Sequence, residues 1–136
     1  MRIKIGIVWF RHDFRLHDNE ALTQAVNHCD VILPVYVFDQ RLYENKSEHG
    51  FRQIGKYRAK FILESLNVLK RSFAERNIDL IIRYGITEDI IYEIANQVKS
   101  TWVFCNRERT PEEEFIQDEL EKKLWQIGQE LRFTRG

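Results

Sequence analysis

Phe10-Arg11-His12-Asp13-Phe14-Arg15-Leu16-His17-Asp18-Asn19 gathers two guanidiniums, two imidazoles, two carboxylates and an amide directly behind an apolar run. Guanidiniums grip carboxylate and phosphate oxygens bidentately and stack on rings, so the segment suits an anionic or heteroaromatic ligand. The competing reading is a self-satisfied loop in which Asp13 and Asp18 pair Arg11 and Arg15 while Asp18 caps a helix, and composition alone favours it. A second candidate group is Asn106 with Glu108. An amide and a carboxylate there suit a ligand with paired N–H donors, such as a pterin ring, unless Glu108 simply pairs Arg107 or Arg109 in solvent. His12 and His17 beside Asp13 and Asp18 fit no zinc-ligand spacing and have no cysteine near them in sequence, so no metal site is expected. His28 and His49 read as ordinary surface histidines, and Trp9, Trp102 and Trp125 as core aromatics.

Other chemistries lack their residues. No G-x-G-x-x-G follows the first apolar run, no G-x-x-x-x-G-K-[ST] occurs, and no serine elbow is present, which removes classical dinucleotide, P-loop and serine-hydrolase readings. Lys plus Arg and Asp plus Glu each number 21 in the 136 residues, so bulk charge does not drive nucleic-acid binding. The balance is mildly basic from 51 to 80 and acidic from 81 onward, the pattern of solvated helix faces. Cys29 and Cys105 lie in or beside apolar runs and read as free thiols. With no apolar run approaching membrane-spanning length, the expectation is one cytoplasmic domain over residues 1–136, without a membrane partner.

Something must hold these groups in place, and the pattern says what. Four short apolar runs, Ile3 to Phe10, Val31 to Phe38, Asp79 to Tyr84 and Thr101 to Cys105, alternate with segments of helical period. That is the signature of parallel strands joined by crossover helices, an α/β fold. Asp18 is expected to cap a helix running to about Val26, and a long helix from about Gln53 to Arg76 carries Phe61, Ile62, Leu66, Leu69 and Phe73 as one stripe. Thr87 opens a third helix. Pro111 opens a fourth, with Ile116, Leu120, Leu124, Ile127 and Leu131 on its core face. Asp39 to Phe51 is expected to be a long loop. In open parallel sheets, ligands sit beyond the carboxyl ends of the strands. Arg11 to Asp18, Asp39 to Tyr43, Gly85 to Glu88 and Asn106 to Thr110 therefore share one rim.

Val8-Trp9-Phe10-Arg11-His12-Asp13-Phe14-Arg15-Leu16-His17-Asp18-Asn19-Glu20-Ala21-Leu22 closely resembles the opening signature of DNA photolyases and cryptochromes, W-F-R-x-D-L-R-x-x-D-N-x-A-L. The likeness continues through Pro34 to Asp39, Arg58 to Leu66, Arg83 to Gly85 and Arg107 to Glu113, and the long helix looks most like the cryptochrome-DASH branch. This resemblance implies a Rossmann-like three-layer α/β/α domain with a five-stranded parallel sheet, the fifth strand beginning near Leu131. In the family such a domain precedes a larger helical domain that holds FAD, the electron-transfer tryptophans and the face that meets damaged DNA. The 136 residues match only the amino-terminal part, which suggests an excised domain or truncated product that is not catalytic alone. What the resemblance leaves to this part is one wall of the antenna site, for methenyltetrahydrofolate or, in other members, a deazaflavin. It assigns Phe38, Asp39, Asn106 and Glu108 to that cleft, with Arg11 and Arg15 as further candidates, and leaves Asp13, Asp18 and Asn19 to fix the loop. Implied partners are the helical FAD domain, the antenna chromophore, damaged DNA through the parent, and a second copy through an exposed interface. The alternative is a standalone α/β module that binds a nucleotide or flavin without photochemistry.

Overall fold

The computed structural model describes residues 3–43 and 55–134. Their elements run β1 (Ile5–Phe10), α1 (Glu20–His28), β2 (Val31–Asp39), α2 (Gln40–Tyr43), α3 (Lys56–Ala74), β3 (Ile81–Gly85), α4 (Thr87–Val98), β4 (Trp102–Asn106), α5 (Pro111–Gln126) and β5 (Glu130–Thr134). The five strands form one parallel sheet in the order β3-β2-β1-β4-β5. Sequence order reverses between β1 and β4, so the crevice favoured for ligands opens where Phe10 and Asn106 end their strands.

Apolar runs become central strands because both faces are covered. Ile7, Trp9, Val35, Val37, Val103 and Cys105 share one core with Ile91 of α4 and Ile116, Leu120 and Leu124 of α5. The alternate residues Val8, Phe10, Tyr36 and Phe104 pack on the other side with Ala25 of α1 and Ile62, Leu66, Leu69 and Phe73 of α3. Pro34, which lacks an N–H, sits in β2 one residue before pairing with β3 begins at Val35. The Cys105 thiol lies inside the first core, where burial pushes its pKa up to about 12 and leaves it unreactive.

Several boundaries differ from the sequence expectation. Asn19, with extended backbone and a side chain accepting from Leu22 N, caps α1. Asp18 instead takes φ +50, and its carbonyl accepts from Arg15 Nε. Helix α5, the fourth helix expected from the sequence, stops at Gln126 because Gly128, at φ +71, lets Gln129 N donate back to Leu124 O at 2.9 Å. Leu131 therefore belongs to β5 rather than to the helix. Phe61 lies one position off the buried stripe of α3 and is 54% exposed, and Trp125 is 74% exposed rather than core. Part of the expected loop after Asp39 is the short helix α2. The rest of that loop, and His49, fall outside the described residues.

Candidate functional site

Three clusters occupy the carboxyl rim of the sheet. The first is centred on Arg11, which leaves β1 and runs inward beneath α5. Its guanidinium lies 4.3 Å from the centre of the Trp9 ring. Nη2 donates to the Glu113 carbonyl at 2.8 Å and to Glu113 Oε2 at 3.3 Å, while Nη1 donates to Gln117 Oε1. A guanidinium so enclosed is held by its own protein, and it ties β1 to α5.

Asn106 is the second centre. Its Nδ2 donates to Asp13 Oδ2 and, at 3.1 Å, to Asn19 Oδ1; its Oδ1 accepts from Ala21 N at 3.1 Å and from the Thr134 hydroxyl. Asp13 also accepts from Arg11 N at 2.9 Å, and Asn19 Nδ2 donates to the Arg15 carbonyl at 3.0 Å. One buried amide thus fastens the loop behind β1, the start of α1, and the ends of β4 and β5. Both amide protons and the amide oxygen are used, so the structure spends Asn106 on the rim itself.

The third cluster is built on Asp39 at the end of β2. Arg41 N and Nε donate to Asp39 Oδ1 at 2.9 Å each, and Arg41 Nη2 donates to Oδ2 at 2.7 Å. Thr87 adds its hydroxyl at 2.6 Å and its N–H at 3.2 Å, so Asp39 caps α4, whose own cap residue Ile86 has no side-chain acceptor. Arg41 then grips Glu88 through two bonds of 2.6 and 3.0 Å. Burial works to raise the Asp39 pKa, but the bonds from Arg41 and Thr87 prevail and hold it below the usual carboxylate value. Phe38 is half-buried in an aromatic ladder, 5.0 Å from Tyr36 and 5.2 Å from Tyr43 between ring centres. Arg15 lies on the exposed loop, bonded to Asp18 O at 3.1 Å.

Glu108 differs from all of these. Its backbone N–H donates to Gln117 Oε1 at 3.2 Å, the oxygen that also receives Arg11. The carboxyl group is half-buried and has no hydrogen-bond or ion-pair partner among the described residues, so the pairing with Arg107 or Arg109 expected as an alternative does not form. Burial pushes its pKa up; His12 and Arg11 pull it down, and Glu113 and Asp13 push it further up. A half-buried acceptor without a donor, on a rim where the Asn106 amide and the Asp39 carboxylate are fully bonded and Arg11 lacks a partner only at Nε, is the feature that invites a ligand.

The predicted residues therefore share a rim but separate by task. Arg11, Asn106 and Asp39 are internal fasteners, Phe38 is packing, Arg15 is peripheral, and Glu108 is open. A cavity of about 20 Å³, room for roughly one water, lies among Arg11, His12, Tyr36, Asp39, Tyr43 and Glu113. Wider hollows of about 450 and 520 Å³ lie at the opposite end of the sheet, and one of about 550 Å³ flanks β5. Gln117, Glu113 and the Arg41–Glu88 pair were missed by sequence reasoning. The available signal was Glu113 and Gln117 falling in register with Leu120 and Leu124 on α5, polar residues on an apolar stripe. Among the described residues no group of three or more His, Cys, Asp and Glu could hold a metal ion, and no helix is long and apolar enough to cross a membrane.

Comparison with known proteins places this geometry among relatives. The DNA photolyase family model matches residues 6–136. A cryptochrome DASH, chloroplastic/mitochondrial, of Solanum lycopersicum is 39% identical over 123 residues, covering 90% of this chain and 21% of the relative. A cryptochrome DASH of Gloeobacter violaceus is 33% identical over 136 residues, covering all of this chain and 27% of the relative. The crystal structure of a Synechocystis cryptochrome superposes with a TM-score of 0.88 at 31% identity, over all of this chain and 28% of that one. An archaeal photolyase from Sulfolobus tokodaii, solved with two FAD molecules, gives 0.85 at 25% identity, over 95% of this chain and 28% of that one. The chain thus spans between a fifth and a third of the length of these relatives, and the shared part is their amino-terminal α/β region.

Proposed function

Because this chain belongs to the DNA photolyase family, we propose that it supplies one wall of a light-harvesting chromophore site, centred on Glu108, within a photolyase- or cryptochrome-type flavoprotein. The observation that carries this reading is the Glu108 carboxyl, half-buried yet without a partner among the described residues. Its two oxygens accept parallel N–H bonds of the kind a pterin offers, a pairing that gives orientation as well as affinity. The fit favours methenyltetrahydrofolate, whose pyrimidine ring carries an N–H beside an amino group. When bound, such a group absorbs near-ultraviolet light and passes excitation onward. This chain's own task is to hold and orient it: Gln117 fixes the Glu108 backbone, Arg11 fixes Gln117, and Glu113 fixes Arg11.

Arg107, Arg109 and Thr110 around Glu108 are exposed, which accords with a pocket completed by another domain, so the affinity of this wall alone is expected to be weak. In this reading, light-driven repair or signalling belongs to the whole flavoprotein, with FAD held by the helical domain that the family resemblance implies. Titration of the chain with methenyltetrahydrofolate, followed by chromophore fluorescence after removal of free ligand, tests the proposal. Saturable binding that Glu108→Gln loses supports it; binding that Glu108→Gln keeps, or none by the unaltered chain, refutes it.

A further inference from the structure

Each helix that covers the sheet buries one stripe, and two of them carry a second apolar stripe on the side turned away from the core. In α3 the buried residues are Ile62, Leu66, Leu69 and Phe73, whereas Tyr57, Phe61 and Val68 are 90, 54 and 56% exposed. With 3.6 residues per turn those three positions fall within about 40° of one another, a single outward stripe about 16 Å long. In α5 the buried Ile116, Leu120 and Leu124 leave Phe115 and Trp125, 46 and 74% exposed, on the outer face with Asp118 between them. Their separation along the helix is about 15 Å. Scattered exposed apolar residues are ordinary on any protein. Aromatic rings aligned on a helix face are instead the composition of contact surfaces, which favour Trp, Tyr and Phe.

The two stripes carry opposite charge. α3 holds five basic residues and one acidic. Lys56 and Lys60, one turn apart beside Tyr57 and Phe61, are exposed and make no ion pair among the described residues. α5 holds six acidic residues and two basic. Both of its lysines are occupied, Lys122 by Glu119 and Lys123 by Asp89, at 3.1 Å each. Glu114 and Asp118, one turn apart beside Phe115, are exposed and make no ion pair among the described residues. α3 packs on one side of the sheet and α5 on the other, so one chain cannot bring these stripes together, but two copies can. Stacking like on like would set lysines against lysines or carboxylates against carboxylates, which is disfavoured. We infer that this chain associates head to tail with a second copy: the outer stripe of α3 in one protomer docks on the outer face of α5 in its partner. The helices run in the same direction, so that Lys56 and Lys60 meet Glu114 and Asp118 while Val68 lies toward Trp125. Every copy then keeps one face of each kind available, and association continues beyond two.

Sedimentation equilibrium at low ionic strength reads this association directly. The weight-average mass of the unaltered chain should rise with concentration from 16.4 kDa to more than twice that value. Lys56→Glu with Lys60→Glu, and separately Glu114→Lys with Asp118→Lys, should each hold the chain at the mass of one copy, with circular dichroism confirming that both variants are folded. An equimolar mixture of the two should associate again, because each altered face then meets its altered complement and each unaltered face its unaltered one. Trp125→Ser, at a position that packs against no core, should weaken association roughly tenfold or more, the loss expected of an aromatic anchor. Four results would overturn the inference. They are a one-copy mass for the unaltered chain even at about 1 mM, a plateau at two copies, association that a charge reversal or Trp125→Ser leaves unchanged, and a mixture of folded variants that stays apart.

Discussion

Asp39→Asn is the most informative change to the scaffold, because it keeps the shape of the side chain and removes only its charge and one acceptor. Every neighbour within bonding distance is a donor: Arg41 N and Nε on one oxygen, Arg41 Nη2 with Thr87 N and hydroxyl on the other. Whichever way an asparagine amide is turned, its NH2 meets donors, and at least two buried N–H groups lose their acceptor. Arg41 keeps Glu88, so the cost should fall at the lower end of that for breaking a buried pair, about 3 kcal/mol. For a chain of this length that corresponds to a fall of about 10 °C in Tm. The sign of the pH dependence follows from the depressed pKa. A carboxylate held below its unfolded value stabilises the fold above about pH 4 and loses that contribution as pH falls through the folded pKa. The gap between the unaltered chain and Asp39→Asn should therefore narrow below about pH 4. Urea and thermal unfolding across that range measure it. A loss under about 1 kcal/mol at neutral pH, or a gap that does not narrow on acidification, would show that the Asp39–Arg41–Glu88 cluster does not act as described.

Two further outcomes follow from single contacts. A Cβ built on Gly6 lies 2.6 Å from Cys29 Sγ and 3.1 Å from Phe104 Cε2, so Gly6→Ala should destabilise by about 1–3 kcal/mol. Adding Cys29→Ala should restore part of that, and a purely additive loss in denaturant melts would contradict the steric cause. Because burial raises the Glu108 pKa and the proposed site uses the ionised form, chromophore binding should decline on acidification at a higher pH than an ordinary glutamate would dictate. A binding-versus-pH titration whose midpoint lies at or below about 4.3 argues against it.

The layer structure was legible in the sequence because each buried strand writes its own apolar run. Ile5–Phe10, Val31–Asp39 and Trp102–Asn106 each fall within a residue or two of an expected run. Helix ends were less legible where neighbouring residues compete for the same job. Asp18 and Asn19 are both good caps, and the choice was settled by Asn106, which bonds Asn19 from 87 residues away. Leu131 continued the apolar spacing of α5, but Gly128 ended the helix first. The site followed the same rule. Arg11 and Asn106 looked like ligand residues because their types suit ligands; what occupies them is Gln117, Glu113, Asp13 and Asn19, and no local spacing reveals a partner 106 residues distant. Glu108 stood out only once the neighbouring Asn106 amide and Asp39 carboxylate could be seen to be bonded within the chain.

The proposed Glu108-centred wall is tested most directly by following backbone and side-chain amide resonances of the isotopically labelled chain during a methenyltetrahydrofolate titration. The account predicts saturable shifts that are largest at Glu108, Arg109 and the Gln117 side chain, absent in Glu108→Gln. Shifts confined to the hollow beside Lys99 and Gly128, or no shift at ligand concentrations well above those that saturate the fluorescence change, would contradict it.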